Sequence, residues 1–152
     1  MAVLGIRCSN KDFTYVIMSG SKTTPRIDTS ETNTYPCNFA QPRSLLWFVQ
    51  EIEQLLSRHN INKIVIKGFE GRARGKSYQE RVEYESAIFI AAAKNGLNAV
   101  FRKVKSTIAK DLGLKGRAHY LQTSLDTSVI AGYAAKPEKE KDAILAAWSE
   151  LR

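Results

Sequence analysis

The chain is short of the residues that build staples and metal clusters. Its 152 residues include only two cysteines and two histidines. Cys8 and Cys37 lie in separate segments without ligand spacing, and His59 and His119 supply no partner set, so neither a disulfide framework nor a zinc site is expected. No run approaches the roughly 18 apolar residues of a membrane span, and the first residues lack the basic-then-apolar order of a signal peptide. A soluble, cytoplasmic protein without a membrane partner is expected. Acidic residues are scarce too: 15 Asp and Glu stand against 23 Lys and Arg, for a formal charge of +8 and a pI near 9.6. That balance favours polyanionic partners such as DNA or RNA.

Apolar residues are not in short supply. At 43% of the chain they are enough for the core of one ordinary domain, and one domain over 1–152 is expected. The stretch 61–94 organises it. A buried strand, Ile64-Val65-Ile66, runs into the basic, glycine-punctuated loop 67–76 and then into a long helix from about Ser77. Before it, Ala2–Cys8 and Phe13–Met18 read as a hairpin around Ser9-Asn10-Lys11-Asp12, and a third short strand is expected near Arg26–Ile27 or Thr34–Tyr35. Pro42 suits a first helical turn, and Leu45, Val49, Ile52 and Leu56 follow at helical spacing. After it, Asn95-Gly96 is a helix stop and Ala99-Val100-Phe101 with Val104 makes another strand. The spacing predicts helices over Ser106–Leu112, capped by Ser106 or Thr107, over His119–Ala135, and over Glu138–Leu151. The whole is an α/β chain, a mixed sheet with helices on its faces.

Positive charge gathers in two places. Lys67, Arg72, Arg74, Lys76 and Arg81 surround the loop, and Arg102, Lys103, Lys105, Lys110, Lys115 and Arg117 follow the last strand. Backbone amides and a helix start beside such side chains suit a nucleic-acid phosphate. The Gly71–Ser77 run misses the Walker A spacing by one residue, which argues against nucleotide hydrolysis. Tyr78, Tyr84 and Tyr120 are of a type that stacks on bases, although aromatics at helical spacing are more often core; Trp47 and Trp148 read as core.

Several short motifs, taken in order, resemble the ribonuclease H-like superfamily and within it the RuvC-like Holliday-junction resolvases and their small relatives. They are Leu4-Gly5-Ile6, Val65-Ile66, Glu85-Ser86-Ala87-Ile88, Val104-Lys105-Ser106, Gly113-Leu114-Lys115-Gly116 and Asp142-Ala143-Ile144-Leu145-Ala146. The resemblance implies a ribonuclease H-like sheet with helices on both faces, a nucleic-acid partner, branched DNA included, and scope for a homodimer. In the nucleases so resembled, four acidic positions hold divalent metal. The matching positions here read Arg7, Lys67, Lys139 and Asp142.

Hard cations such as Mg²⁺ and Mn²⁺ require carboxylate oxygens, whereas Arg and Lys offer no lone pair at neutral pH. No cofactor and no nuclease activity are therefore expected, and Arg7, Lys67, Glu85 and Asp142 are expected to form a charge network where metal would sit. Val82, Glu85 and Phe89 share a helix face that would point Glu85 inward. Two alternatives stay open. One is an active metal-dependent nuclease with Glu70, Glu85 and Asp142 as catalytic ligands, Glu138 and Glu140 standing near; the other is a protein-interaction or oligomerisation subunit that keeps only the scaffold.

Overall fold

The computed structural model describes residues 1–72 and 74–152. Five strands, β1 (Ala2–Cys8), β2 (Asp12–Gly20), β3 (Pro25–Thr34), β4 (Ile61–Lys67) and β5 (Val100–Lys103), form one sheet in the order β3-β2-β1-β4-β5. The first three pair antiparallel, and β4 and β5 run parallel to β1. The parallel strands are joined by the crossover helices α1 (Gln41–Arg58) and α2 (Lys76–Lys94), followed by α3 (Lys105–Asp111), α4 (Tyr120–Thr123) and α5 (Glu138–Trp148). No described helix is long and apolar enough to cross a membrane.

Strand parity decides what each side chain meets. Leu4, Ile6 and Cys8 of β1, with Ile64 and Ile66 of β4, point to the side covered by α1 and α2, where Phe48, Ile52, Tyr84 and Ile88 close one core. Val3 and Val65 point to the other side, onto Ile144, Ala147 and Trp148 of α5 and onto Ile108 of α3. Alternate residues thus serve opposite cores, as a pleated strand requires. Gly5 marks the tightest approach. A Cβ there would stand 2.1 Å from the Ala143 carbonyl oxygen and 2.9 Å from the Ala147 Cβ, so α5 lies directly on β1 only because the side chain is absent.

Four expectations need correction. The third strand is not a short edge piece but ten residues, Pro25–Thr34, paired with β2 along its length. The helix expected over His119–Ala135 is only α4 and a single 3₁₀ turn, Tyr133–Ala135. Between them the Asp126 carboxylate accepts bonds from the Ser128 amide (3.0 Å) and hydroxyl (2.5 Å), and Gly132 takes a left-handed φ of 78°; local side-chain bonds of this kind compete with helix. On α2 the buried face is Arg81, Tyr84, Glu85, Ala87, Ile88, Ala91 and Ala92, while Phe89 is 40% exposed. Glu85 is inward, but Phe89 is not its companion. Finally, α3 is entered at Val104, with no cap from Ser106 or Thr107.

Candidate nucleic-acid interface and the strand ends beneath it

The cap that α3 lacks comes from outside it. The Glu70 carboxylate, in the loop after β4, accepts the Lys105 backbone N–H at 2.5 Å and on the same oxygen the Lys67 ammonium at 2.8 Å. Lys67 also donates to the Gly68 carbonyl at 2.7 Å and is only 3% exposed. A negative group at a helix start is favourable, so Glu70 latches the basic loop onto α3 and brings the two basic clusters together.

Arg7 and Lys67 stand one residue beyond the paired Ile6 and Ile66 of β1 and β4. Their parity puts both on the α5 side. There the Arg7 Nε meets the Asp142 carboxylate at 3.1 Å, and Lys139, one turn earlier on α5, meets Asp12 of β2 at 2.7 Å. Each of these three cations therefore has its own carboxylate: Arg7 has Asp142, Lys67 has Glu70 and Lys139 has Asp12.

Glu85 does not join them. Its helix covers the opposite side of the sheet, and its carboxylate is shared by Arg81 (3.2 Å) and Arg102 (3.0 Å). Arg81 in turn donates to the Lys67 carbonyl at 2.9 Å. The four-residue network of Arg7, Lys67, Glu85 and Asp142 is thus resolved into separate pairs on two faces, because the odd-numbered side chains of β1 and β4 point away from α2. Glu70, Glu85 and Asp142, the ligands of the nuclease alternative, are each engaged by cations and are split between the two faces. Glu138 and Glu140 pair with Lys141 and Lys136. Among the described residues no three His, Cys, Asp or Glu side chains gather as a metal-ligand set, and the residues present do not fit a divalent metal centre.

Of the basic residues singled out in the sequence, Lys67, Arg81 and Lys103 are buried and structural. Lys103 is held by Asp111 (2.7 Å), Glu150 (2.5 Å) and Ser149 (3.1 Å), tying β5 to α3 and to the C-terminal end. Arg102 is spent on Glu85. The groups left on the surface are Arg72, Arg74, Lys76, Lys115 and Arg117, all exposed, with Lys105 half-buried and Lys110 exposed on α3. Tyr84 is core, stacked face to face on Tyr35 with centroids 3.7 Å apart, and Trp148 is core as well. Tyr78, however, lies 37% exposed in edge contact with Phe69, centroids 5.7 Å apart. Sequence reasoning gave no role to Asp12, Glu150 or Phe69. Asp12 and Glu150 act through contacts distant in sequence; Phe69 had a visible signal, a lone aromatic in an otherwise polar, arginine-rich loop.

The ion pairs have a measurable signature. Partial burial pushes the Glu70 carboxyl up, but its bonds from Lys67 and the Lys105 amide outweigh this and leave it below its ordinary 4.5. The same contest lowers Asp12, through Lys139 and Ser9, and Glu150, through Lys103 and Lys63. A carboxyl lowered by folding is protonated first in the unfolded chain, so its stabilisation is present above the unfolded value and is lost as pH falls through the folded one. Urea unfolding from about pH 6 down to about pH 3 should show stability declining once the pH passes below about 4.5. A flat profile across that window would contradict the pairings.

The sheet order, the helices on both faces and the strand ends under α5 define a ribonuclease H-like fold of the RuvC type. Among solved structures, Thermus thermophilus RuvC in complex with a Holliday junction substrate is similar with a TM-score of 0.75 at 13% identity, over 98% of this chain and 91% of that one. The yeast mitochondrial Holliday junction resolvase Ydc2 is similar with a TM-score of 0.58 at 16% identity, over 97% and 77% of the two chains, and the fowlpox virus Holliday junction resolvase with 0.50 at 10%, over 98% and 93%. No protein-family model matches the sequence, and no curated protein matches it.

Proposed function

We propose that this chain binds nucleic acid on a RuvC-like scaffold and does not cut it through bound metal. The observation that carries the reading is that Arg7, Lys67 and Lys139, which by the resemblance match metal-ligand positions, are each neutralised by their own carboxylate. Such a site pairs each of its carboxylates with a cation, so it has the means to hold the scaffold's strand ends in place but not to activate water on an ion. Binding falls to the exposed side chains above it. Arg72, Arg74 and Lys76 follow the carboxyl end of β4, and Lys105, Lys115 and Arg117 follow that of β5, the end at which open sheets with helices on both faces usually place their ligands. The scaffold's likeness to a RuvC structure that contains a Holliday junction supports branched DNA as the first substrate to try.

The test is a salt titration. Affinity for junction or duplex DNA should fall linearly in log–log against salt, with a slope set by the number of phosphates neutralised. Replacing Arg72, Arg74 and Lys76 together by alanine should flatten that slope by about three and weaken all sequences alike, because phosphate contacts position without specifying. A triple variant that binds like the parent would remove the loop from the interface.

A further inference from the structure

We propose that the cleft between the β1–β2 turn and the start of α1 is a binding site for a small hydroxylated organic anion, its charged group a carboxylate or a phosphate ester. The cleft draws its walls from the turn, from the connection between β3 and α1, from the first turn of α1 and from α2. Its volume is about 330 Å³, within the roughly 300–1,000 Å³ of small-ligand sites. Floor, walls and rim each ask for a different part of the ligand.

The floor is polar and short of hydrogens. Ser44 is 3% exposed and Tyr84 2%, and their hydroxyl oxygens lie 2.7 Å apart. The Gln41 amide nitrogen donates to the Glu83 carboxylate at 2.8 Å, which leaves the Gln41 carbonyl oxygen to accept the Tyr84 hydroxyl at 3.3 Å. With its hydrogen spent there, the Tyr84 oxygen accepts from Ser44. The Ser44 oxygen therefore ends the chain: it has given its hydrogen, and among the described residues no other group donates to it. A hydroxyl oxygen carries two acceptor lone pairs, so this buried one takes a hydroxyl hydrogen from a ligand. Burial raises the Tyr84 phenol, which keeps the floor neutral, and no carboxylate lines the cleft, so a cation at the floor would find no counter-charge.

Positive charge stands at the rim. Lys11 and Arg43 are exposed. Lys11 lines the cleft, and the Arg43 guanidinium lies 4.0 Å from the centroid of Phe39, whose ring lines it too. Among the described residues neither cation has a carboxylate within ion-pair distance. Between rim and floor, Tyr35, Pro36 and Phe39 present carbon. An anionic group at the rim, a carbon body along the walls and a hydroxyl on Ser44 answer the three parts together. An inorganic anion would leave the floor unmet, and an apolar molecule would leave the cations unpaired. The inference goes beyond the nucleic-acid reading and does not depend on it.

A thiol in the cleft supplies the test. Cys37 lines the cleft and is exposed, whereas Cys8 is fully buried and its thiol is pushed up to about 12. Alkylation of the full chain by iodoacetamide therefore reports on Cys37 alone. Its rate is followed by mass spectrometry with no ligand, with 4-hydroxybenzoate, with ribose 5-phosphate, and with benzoate or inorganic phosphate, all at matched ionic strength. The expected result is that one or both hydroxylated anions slow the reaction, and that the two anions lacking the hydroxyl do so about two- to twelvefold more weakly, the effect of one neutral hydrogen bond. Protection by 4-hydroxybenzoate alone identifies a carboxylate as the charged group, protection by ribose 5-phosphate alone a phosphate ester, and protection by both a rim that accepts either.

Two variants locate the contacts. Ser44→Ala should weaken 4-hydroxybenzoate by the same two- to twelvefold and leave benzoate unchanged. Lys11→Gln, at an exposed position that leaves the core intact, should weaken every anion and remove part of the salt dependence. Equal alkylation rates with all probes up to about 10 mM, where a site with a dissociation constant of about 1 mM is nearly filled, would overturn the inference. So would benzoate and inorganic phosphate protecting as well as their hydroxylated counterparts, or protection unchanged in Lys11→Gln. Junction or duplex binding with its salt slope intact would then still stand, so failure of the cleft and failure of the nucleic-acid reading are distinguishable.

Discussion

Glu85→Ala is expected to destabilise the protein by about 3–5 kcal/mol, the cost of leaving buried charge without its partner. Glu85 is 3% exposed and Arg81 8%, and the carboxylate accepts from both Arg81 and Arg102. Removing it strands the Arg81 guanidinium between α2 and the sheet with only the Lys67 carbonyl for company. Arg102 is more exposed and can turn to water, so Arg81 carries the penalty. For a chain of this size the loss corresponds to a melting temperature lower by roughly 6–20 °C. Arg81→Met combined with Glu85→Leu should recover most of it, because exchanging a buried pair for well-packed apolar groups is often near neutral. Calorimetric melting of the three variants checks this, and a Glu85→Ala loss under about 1 kcal/mol would show that the pair is solvated.

A second large effect is expected from reversing the inverted charges. Arg7→Asp with Lys67→Glu would put two new carboxylates on neighbouring strand ends, facing Asp142 from α5 and Glu70 from the loop. Without an ion these groups repel, and the variant should be clearly less stable than the parent. Added Mn²⁺ should bind among the hard oxygens and restore stability as any ligand of the folded state does, by about 2.7 kcal/mol at a hundred times its dissociation constant. Titration calorimetry and melting with and without Mn²⁺ measure both sides. The parent should show no such response. A variant indifferent to Mn²⁺, or a parent that responds equally, would contradict the view that Arg7 and Lys67 occupy the space of a metal centre.

How much of this was legible in the chain depends on how local the signal is. The Ile64-Val65-Ile66 run, the glycine-rich basic loop, the hairpin turn at Ser9–Asp12 and the stop at Asn95-Gly96 are written in neighbouring residues, and the corresponding elements stand close to where those signals put them. Where competing bonds decide, the pattern misleads: the apolar and alanine residues between His119 and Ala135 look helical, yet Asp126 and Gly132 break the run. The strand β3 was underread because its residues, mostly polar, gain their place by pairing along β2 rather than by burial.

The charged site divides the same way. That Arg7 and Lys67 would lie on neighbouring strands with Asp142 facing them is what the resemblance implies, and the Arg7–Asp142 pair is present at 3.1 Å. That Glu85 belongs to the other face follows from parity against α2, which the helix spacing alone did not give. The part played by Asp12, reaching Lys139 across 127 positions of sequence, has no local signature at all.

The central claim is binding without metal-dependent cleavage, and one measurement addresses it directly. A labelled four-way DNA junction is incubated with the protein in chelator, in Mg²⁺ and in Mn²⁺, and each sample is divided between a binding assay and a denaturing gel. The account predicts a retarded complex of equal affinity in all three at matched ionic strength, and an intact strand in every lane. Cleavage in Mn²⁺ that chelator abolishes and that Asp142→Ala removes would contradict it, and would return Asp142 to the role of a metal ligand.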